Sequence, residues 1–126
     1  GRIISVGGLS ARSGGTYSTG ARNVAIVHMS KTLSLELGPS GVTVNVVHPG
    51  MTRTEYMAQS LAARAQREGR PVAEIEKEQS KNNAIRRVVD ASEVAQVVCF
   101  LASPKAGAIT GEVISVGGGS GSAVVL

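Results

Sequence analysis

MSKTLSLELGPSGVTVNVVHPGMTRT, residues 29–54, is the stretch on which the reading of the fold turns. Its first part ends a helical pattern. Ile26, Met29, Leu33 and Leu37 recur on one face, and Val24, Val27 and Leu35 widen it. Gly38-Pro39 stops the helix, with Gly suited to the C-terminal cap and Pro unable to continue the hydrogen-bond ladder. VTVNVV at 42–47 then reads as a strand, and His48-Pro49-Gly50 ends it.

Upstream, RIISV at 2–6 reads as a buried strand that ends at Gly7-Gly8. A Ser- and Gly-rich loop follows to about Gly15, and the helix runs from about Tyr17 to Leu37. Downstream, 55–80 is polar and Ala-rich, broken at Gly69-Arg70-Pro71, and implies two short surface helices. Asp90 to Glu93 forms a capping box, DASE. Val94, Val97, Val98 and Leu101 follow at helical spacing over 91–103, and EVISV at 112–116 is a third strand. A Gly/Ser tail closes in AVVL. Strands separated by helical crossovers imply an α/β fold, with parallel strands covered by helices. Right-handed crossovers place the three strands in sequential order.

Composition narrows the function classes. With 126 residues the chain fits one domain, and 42% hydrophobic against 17% charged residues is a globular balance. The net charge of +4 is dispersed. Arg64, Arg67, Arg70, Lys77 and Lys81 interleave with Glu68, Glu74, Glu76 and Glu78, a two-sign solvated surface and not a nucleic-acid face. No stretch approaches the ~20 apolar residues that span a bilayer, so no membrane partner is expected. The single cysteine, Cys99, fits a reducing, cytoplasmic setting, and its run VVCFLA reads as core. The start at Gly1, entering an apolar run at once, leads us to expect a piece of a longer protein.

Three ordered segments resemble the short-chain dehydrogenase/reductase family. They are GRIISVGG at 1–8, the 29–54 stretch, and ASEVAQVVCFLASPKAGAITGEVISVGGG at 91–119. The resemblance covers nearly the whole chain. It implies the C-terminal half of a doubly wound, Rossmann-like parallel sheet: strand 2–6, long helix 17–37, strand 42–47, a substrate lid at 55–89, helix 91–103 and strand 112–116. It also implies a nicotinamide cofactor, NAD or NADP, and a small-molecule carbonyl or alcohol substrate. The family's pyrophosphate loop lies in the half before Gly1, and neither GGLSARSGG at 7–15 nor VGGGSGS at 116–122 has the spacing to replace it.

In the family a Tyr exchanges the proton, a Lys four residues on lowers its pKa, and a Ser polarises the carbonyl. Here the Ser position falls on Gly8, which has no hydroxyl. Tyr17 opens a motif-like YSTGA and is the candidate proton donor, but Ala21 stands where its Lys belongs. Counting back from Leu35-Glu36-Leu37 instead puts the Tyr and Lys positions on Thr19 and Asn23. In either register the Lys is absent. Arg22 offers a charge one residue off the required face, and Ser10 or Ser13 a substitute hydroxyl. The loop carrying Pro49, Gly50, Thr52 and Thr54 matches the family's nicotinamide-facing loop. His48 has no Cys or acidic partner spaced for a metal site. Tyr56, Met57 and Leu61 either line a pocket or form the apolar face of a surface helix.

Two functions follow from these departures. One is an NAD(P)-dependent oxidoreductase whose partial chain is inactive alone. The other is a catalytically dead relative that serves as a cofactor-binding, regulatory or oligomer-forming subunit. A homo-oligomer is expected through the long helix, which is apolar on more than one face, and through the C-terminal helix and strand.

Overall fold

A computed structural model describes residues 1–125; Leu126, the last residue of the AVVL tail, lies outside the described residues. Three parallel strands form the main sheet: β1 (Arg2–Val6), β2 (Thr43–Pro49) and β5 (Val113–Val116), in the order β1-β2-β5. Ile4 pairs with Asn45, and Val47 with Ile114. Helix α1 (Tyr17–Leu37) joins β1 to β2. Between β2 and β5 lie β3 (Thr52–Arg53), α2 (Glu55–Glu68), α3 (Val72–Gln79), β4 (Val89–Asp90) and α4 (Ala91–Ala102). The chain is therefore α/β, a parallel sheet with flanking helices.

Helix α4 covers one face of the sheet. Leu101, Val94, Val97 and Val98 pack on Val47, Ile4, Ile114 and Val116, as the helical spacing predicts. Its start is fixed by the Glu93 carboxylate, which accepts the Asp90 backbone N–H at 2.8 Å. The expectation that Cys99 is a core thiol is corrected, because Cys99 is exposed and Phe100 beside it is 45% exposed. Four apolar residues already satisfy the inward face of α4, so the rest of the run VVCFLA rotates outward at 3.6 residues per turn.

The opposite face is covered by α1, but not by the stripe that periodicity selects. Asn23, Ser30 and Ser34 are the buried residues of α1, while Met29 and Leu35 are exposed. Small side chains let the helix come close to the sheet. A Cβ at Gly111, in the turn before β5, would lie 2.6 Å from Ser34 Oγ. The apolar residues of α1 are displaced to its flanks and outer side. Two further features were not anticipated. A 3-10 turn occupies Leu9–Arg12 within the expected loop, and β3 and β4 pair in parallel as a second small sheet.

The segment between β3 and β4 has its own small core. Leu61, Ala65 and Ile75 are buried together with Met57 packed against them, so α2 and α3 form a hairpin that turns at Gly69. Arg53 holds the hairpin to the sheet side, reaching Glu76 (Nη1 to Oε2, 2.9 Å) and Asp90 (Nε to Oδ1, 3.0 Å). Each such exposed pair contributes at most about 1 kcal/mol.

Strand β2 is buried from Thr43 to His48. Its amino-terminal half extends past the end of β5, and side chains complete the pairing there. Asn45, fully buried, donates Nδ2 to the Ile109 carbonyl at 2.8 Å and accepts the Glu112 N–H on Oδ1 at 3.1 Å. Thr110 Oγ1 accepts the Val44 N–H at 3.0 Å. Asn45→Ala removes the side-chain partner of two part-buried backbone groups, the Ile109 carbonyl and the Glu112 N–H, and about 1–3 kcal/mol of stability is expected to disappear in urea unfolding of the whole protein; a loss under about 1 kcal/mol would count against this role.

Among the described residues β1 is paired on one side only, with Ile3 and Val6 exposed. An unpaired parallel edge of this kind invites association. Residues 1–126 expressed alone are expected to self-associate in light scattering; a soluble monomer with a sharp cooperative melt would contradict this.

Candidate active site

The carboxyl ends of the three parallel strands open at one level. The Gly7 N–H donates to the Val47 carbonyl at 2.9 Å, and the Gly50 N–H donates to the Val116 carbonyl at 3.1 Å. Contacts continue beyond the ladder: a Cβ on Gly50 would lie 2.7 Å from Gly117 Cα, and a Cβ on Gly117 would lie 2.6 Å from Leu9 Cδ1. Gly50 is therefore required for close packing on Gly117 and Leu9. The loops that follow β1, β2 and β5 are locked together at this point, and in open α/β sheets ligands bind in the crevice outside the strands' carboxyl ends.

Beyond Gly50 two threonines present complementary chemistry. Thr52 Oγ1 donates to the Gly50 carbonyl at 3.0 Å, which leaves its lone pairs free. Thr54 is the N-cap of α2, where its Oγ1 accepts the Met57 N–H at 3.2 Å and its own hydrogen stays available. A primary carboxamide carries both an N–H donor and a C=O acceptor, and this pair of hydroxyls matches it. The chemistry of Thr52 and Thr54 thus fits the nicotinamide end of a dinucleotide. The pyrophosphate end finds no Gly-rich strand-to-helix turn among the described residues, since the chain after β1 enters a single 3-10 turn.

Helix α1 supplies the other wall. Tyr17, its first residue, is 96% exposed, so its ring is not packed against the Pro49–Gly50 loop. Ala21 and Arg22 are also exposed. Thr19 is half-buried and Asn23 is 8% exposed, four residues apart on the face toward the sheet. The helix therefore turns Thr19 and Asn23, not Tyr17 and Ala21, toward the strand ends. Asn23 Nδ2 donates to Ser10 Oγ at 2.6 Å. A Cβ at Gly8 would sit 3.3 Å from Asn23 Nδ2, a tight contact, and Gly8 is extended (φ −162°), so the backbone itself does not call for glycine there. Ser13 is exposed.

His48 lies beneath the loop and is fully buried, with neither ring nitrogen hydrogen-bonded among the described residues. A Cβ at Gly7 would lie 2.8 Å from its Nε2. The α2–α3 hairpin takes Met57 and Leu61 into its own core and leaves Tyr56 81% exposed. Among the described residues no group of three or more His, Cys, Asp or Glu is placed to hold a metal, and no helix is long and apolar enough to cross a membrane. Sequence reasoning missed the Ser10–Asn23 pair because the two residues are thirteen apart and polar. The sequence signals are separate ones, Ser10 as a substitute hydroxyl and Asn23 at the Lys position of the second register.

A family model described as enoyl-(acyl carrier protein) reductase matches residues 1–121. The short-chain reductase protein NovJ of Streptomyces niveus is 38% identical over 120 residues, which are 94% of this chain and 44% of NovJ. The NADPH-dependent reductase BacG of Bacillus subtilis (strain 168) is 34% identical over 122 residues, 95% of this chain and 47% of BacG. Among solved structures, YwfH, an NADPH-dependent reductase involved in bacilysin biosynthesis, superposes with a TM-score of 0.85 at 30% identity, covering 98% of this chain and 48% of that one. The chain thus spans less than half the length of these relatives.

Burial first, and the nearby Arg12 guanidinium second, lower the pKa of His48 below the usual imidazole value of 6.5. The unfolded chain takes up this proton at higher pH than the folded one, so the neutral buried ring stabilises the fold fully above pH ~6.5 and loses that contribution as pH falls toward the depressed value. The unfolding free energy of the whole protein is expected to fall between pH ~7 and pH ~5, with a slope from this group of up to about 1.4 kcal/mol per pH unit. His48→Gln is expected to flatten that slope; an unchanged slope in the variant would show that the ring is not its source.

Proposed function

The chain belongs to the short-chain dehydrogenase/reductase family, and from that membership we propose that the whole protein moves a hydride between NAD or NADP and a carbonyl or alcohol carbon of a small molecule. The observation that carries the reading is the loop of Pro49, Gly50, Thr52 and Thr54 at the carboxyl end of the buried central strand. Its two free hydroxyl functions are complementary to a carboxamide. Bound there, the nicotinamide supplies or accepts the hydride. Pro49–Gly50 forms the floor, rigid because Gly50 is seated on Gly117, while Thr52 accepts from and Thr54 donates to the amide. BacG and YwfH are named as NADPH-dependent reductases and a 3-oxoacyl-[acyl-carrier protein] reductase from Brucella melitensis carries bound NAD, so relatives of both kinds support a nicotinamide cofactor.

The residues of α1 set the limits of the chemistry. Position 23 carries an amide and not an ammonium, and Tyr17 would serve as a proton donor only by folding its exposed side chain over the cleft. These substitutions support a second reading, a member that binds cofactor and acts as a regulatory or oligomer-forming subunit without turnover. The exposed Met29 and Leu35 of α1 and Phe100 of α4 support homo-oligomer contacts through those helices, and the single exposed thiol suits a cytoplasmic protein.

Titrating the whole protein with NADPH and NADH, followed by turnover with a panel of ketones, tests the reading. Saturable binding with cofactor oxidation is expected. Thr54→Val should weaken binding about tenfold, through loss of one hydrogen bond to the carboxamide. Binding without oxidation of the cofactor would support the regulatory alternative, and absence of both would refute each.

A further inference from the structure

We propose that the cleft between α3 and the turn at 80–86 binds a phosphate group, free or carried on a small molecule, through Lys77, Lys81 and Arg86. The cleft shares no residue with the loop of Pro49, Gly50, Thr52 and Thr54, so its occupant is independent of the oxidoreductase reading.

Within the two-sign surface of the hairpin this cleft is an exception. Its volume is about 460 Å³, in the range of small-molecule sites. The carboxylates that border it are already neutralised. Glu74 and Glu78 lie 3.7 and 2.8 Å from Arg70, and Glu78 also meets Arg64 at 3.2 Å. Lys77, Lys81 and Arg86 line the same cleft, and among the described residues none of them has a carboxylate within ion-pair distance. Three positive charges thus converge on one concavity without an internal counter-ion. Lys77, in the last turn of α3, also complements the helix dipole. That reason does not extend to Arg86, which reaches the cleft from the turn before β4.

The backbone at Arg86 is the second observation. Its φ of +55° makes it the one non-glycine residue in the left-handed region among the described residues. A side chain is disfavoured there, and such residues persist where their surroundings hold them. This turn is held from two sides. The Ala84 and Ile85 N–H groups donate to the Gly119 and Gly118 carbonyls at 3.3 and 3.2 Å. The Arg86 N–H donates to the carbonyl of buried Asn83 at 3.0 Å, and Asn83 Nδ2 donates to the Arg87 carbonyl at 2.9 Å. Glycine would meet the same backbone demand at lower cost, so what arginine adds is its side chain. One guanidinium nitrogen, Nη1, donates to the Lys81 carbonyl, which fixes the head beside the cleft and leaves its other N–H groups for a ligand.

A phosphomonoester fits this arrangement. It carries a charge of about −1.5 to −2 and three strong acceptor oxygens, one for each cationic head. Arginine supplies a fork and the lysines supply point charges. Extended polyanions need a broad surface of one sign, and here Glu74 and Glu78 border the cleft. A compact anion is what the concavity admits.

The test titrates the whole protein, without added cofactor and at low ionic strength, with inorganic phosphate and with glycerol 3-phosphate in a calorimeter. Saturable binding is expected. Tighter binding of the ester identifies an organic phosphate as the ligand, and equal or tighter binding of inorganic phosphate identifies the free anion. The double variant Lys77→Gln, Lys81→Gln should weaken binding about tenfold or more through loss of two charge-assisted contacts. Arg86→Gly should weaken it about tenfold while its thermal midpoint is no lower than the native one, because glycine relieves the backbone. Absence of saturable binding by both probes, or an affinity within about twofold of native in either variant, overturns the inference. So does a lowered midpoint in Arg86→Gly, which would show that the arginine serves the turn and not a ligand.

Discussion

Everything in this fold is arranged around one strand that has no access to water. β2 is buried from Thr43 to His48, flanked by β1 and β5 and covered by α4 on one face and α1 on the other. Each backbone group there must find a protein partner, since a buried unpaired group costs about 1–3 kcal/mol. Along most of the strand the parallel ladder provides one. Where β5 falls short, Asn45 and Thr110 supply the missing contacts from side chains. This requirement sets where β5 starts, and so the level at which the strands release their loops.

At that level the same constraint becomes functional. Gly50 and Gly117 approach closely enough to exclude a side chain, and Leu9 from the first loop closes over them. Three loops from three strands are therefore positioned by packing and not by long-range electrostatics. The threonines after Gly50 inherit a defined direction from it, Thr52 through its bond to the Gly50 carbonyl and Thr54 through the start of α2. Helix α1 is held to the sheet by the small residues Ser30 and Ser34, and the same face carries Asn23 to the strand ends. Close packing of this helix and the polarity of the site are two results of one choice of residues.

What was legible in the sequence divides along these lines. RIISV, VTVNVV and EVISV declare strands because β-branched runs bounded by glycine admit few other readings, and Gly38-Pro39 stops α1 as its chemistry requires. Periodicity failed on α1 because hydrophobicity was the signal sought. The buried face is Asn, Ser and Ser, and apolar residues such as Leu35 turn outward. Cys99 misled for the converse reason: an apolar run says that a helix is buried somewhere, not on which side. Asn45 and the Ser10–Asn23 contact were invisible because a polar residue in a sequence carries no mark of whether its partner lies thirteen or sixty residues away. The short β3–β4 pair, two residues on each side, is below the length at which alternation can be read.

The measurement that bears most directly on the central strand's role in presenting the site is a crystal structure of the whole protein with NADPH and an unreactive amide in place of the ketone. The nicotinamide ring is expected against Pro49–Gly50, with its carboxamide between Thr52 and Thr54. A ring bound away from the carboxyl end of β2 would contradict it.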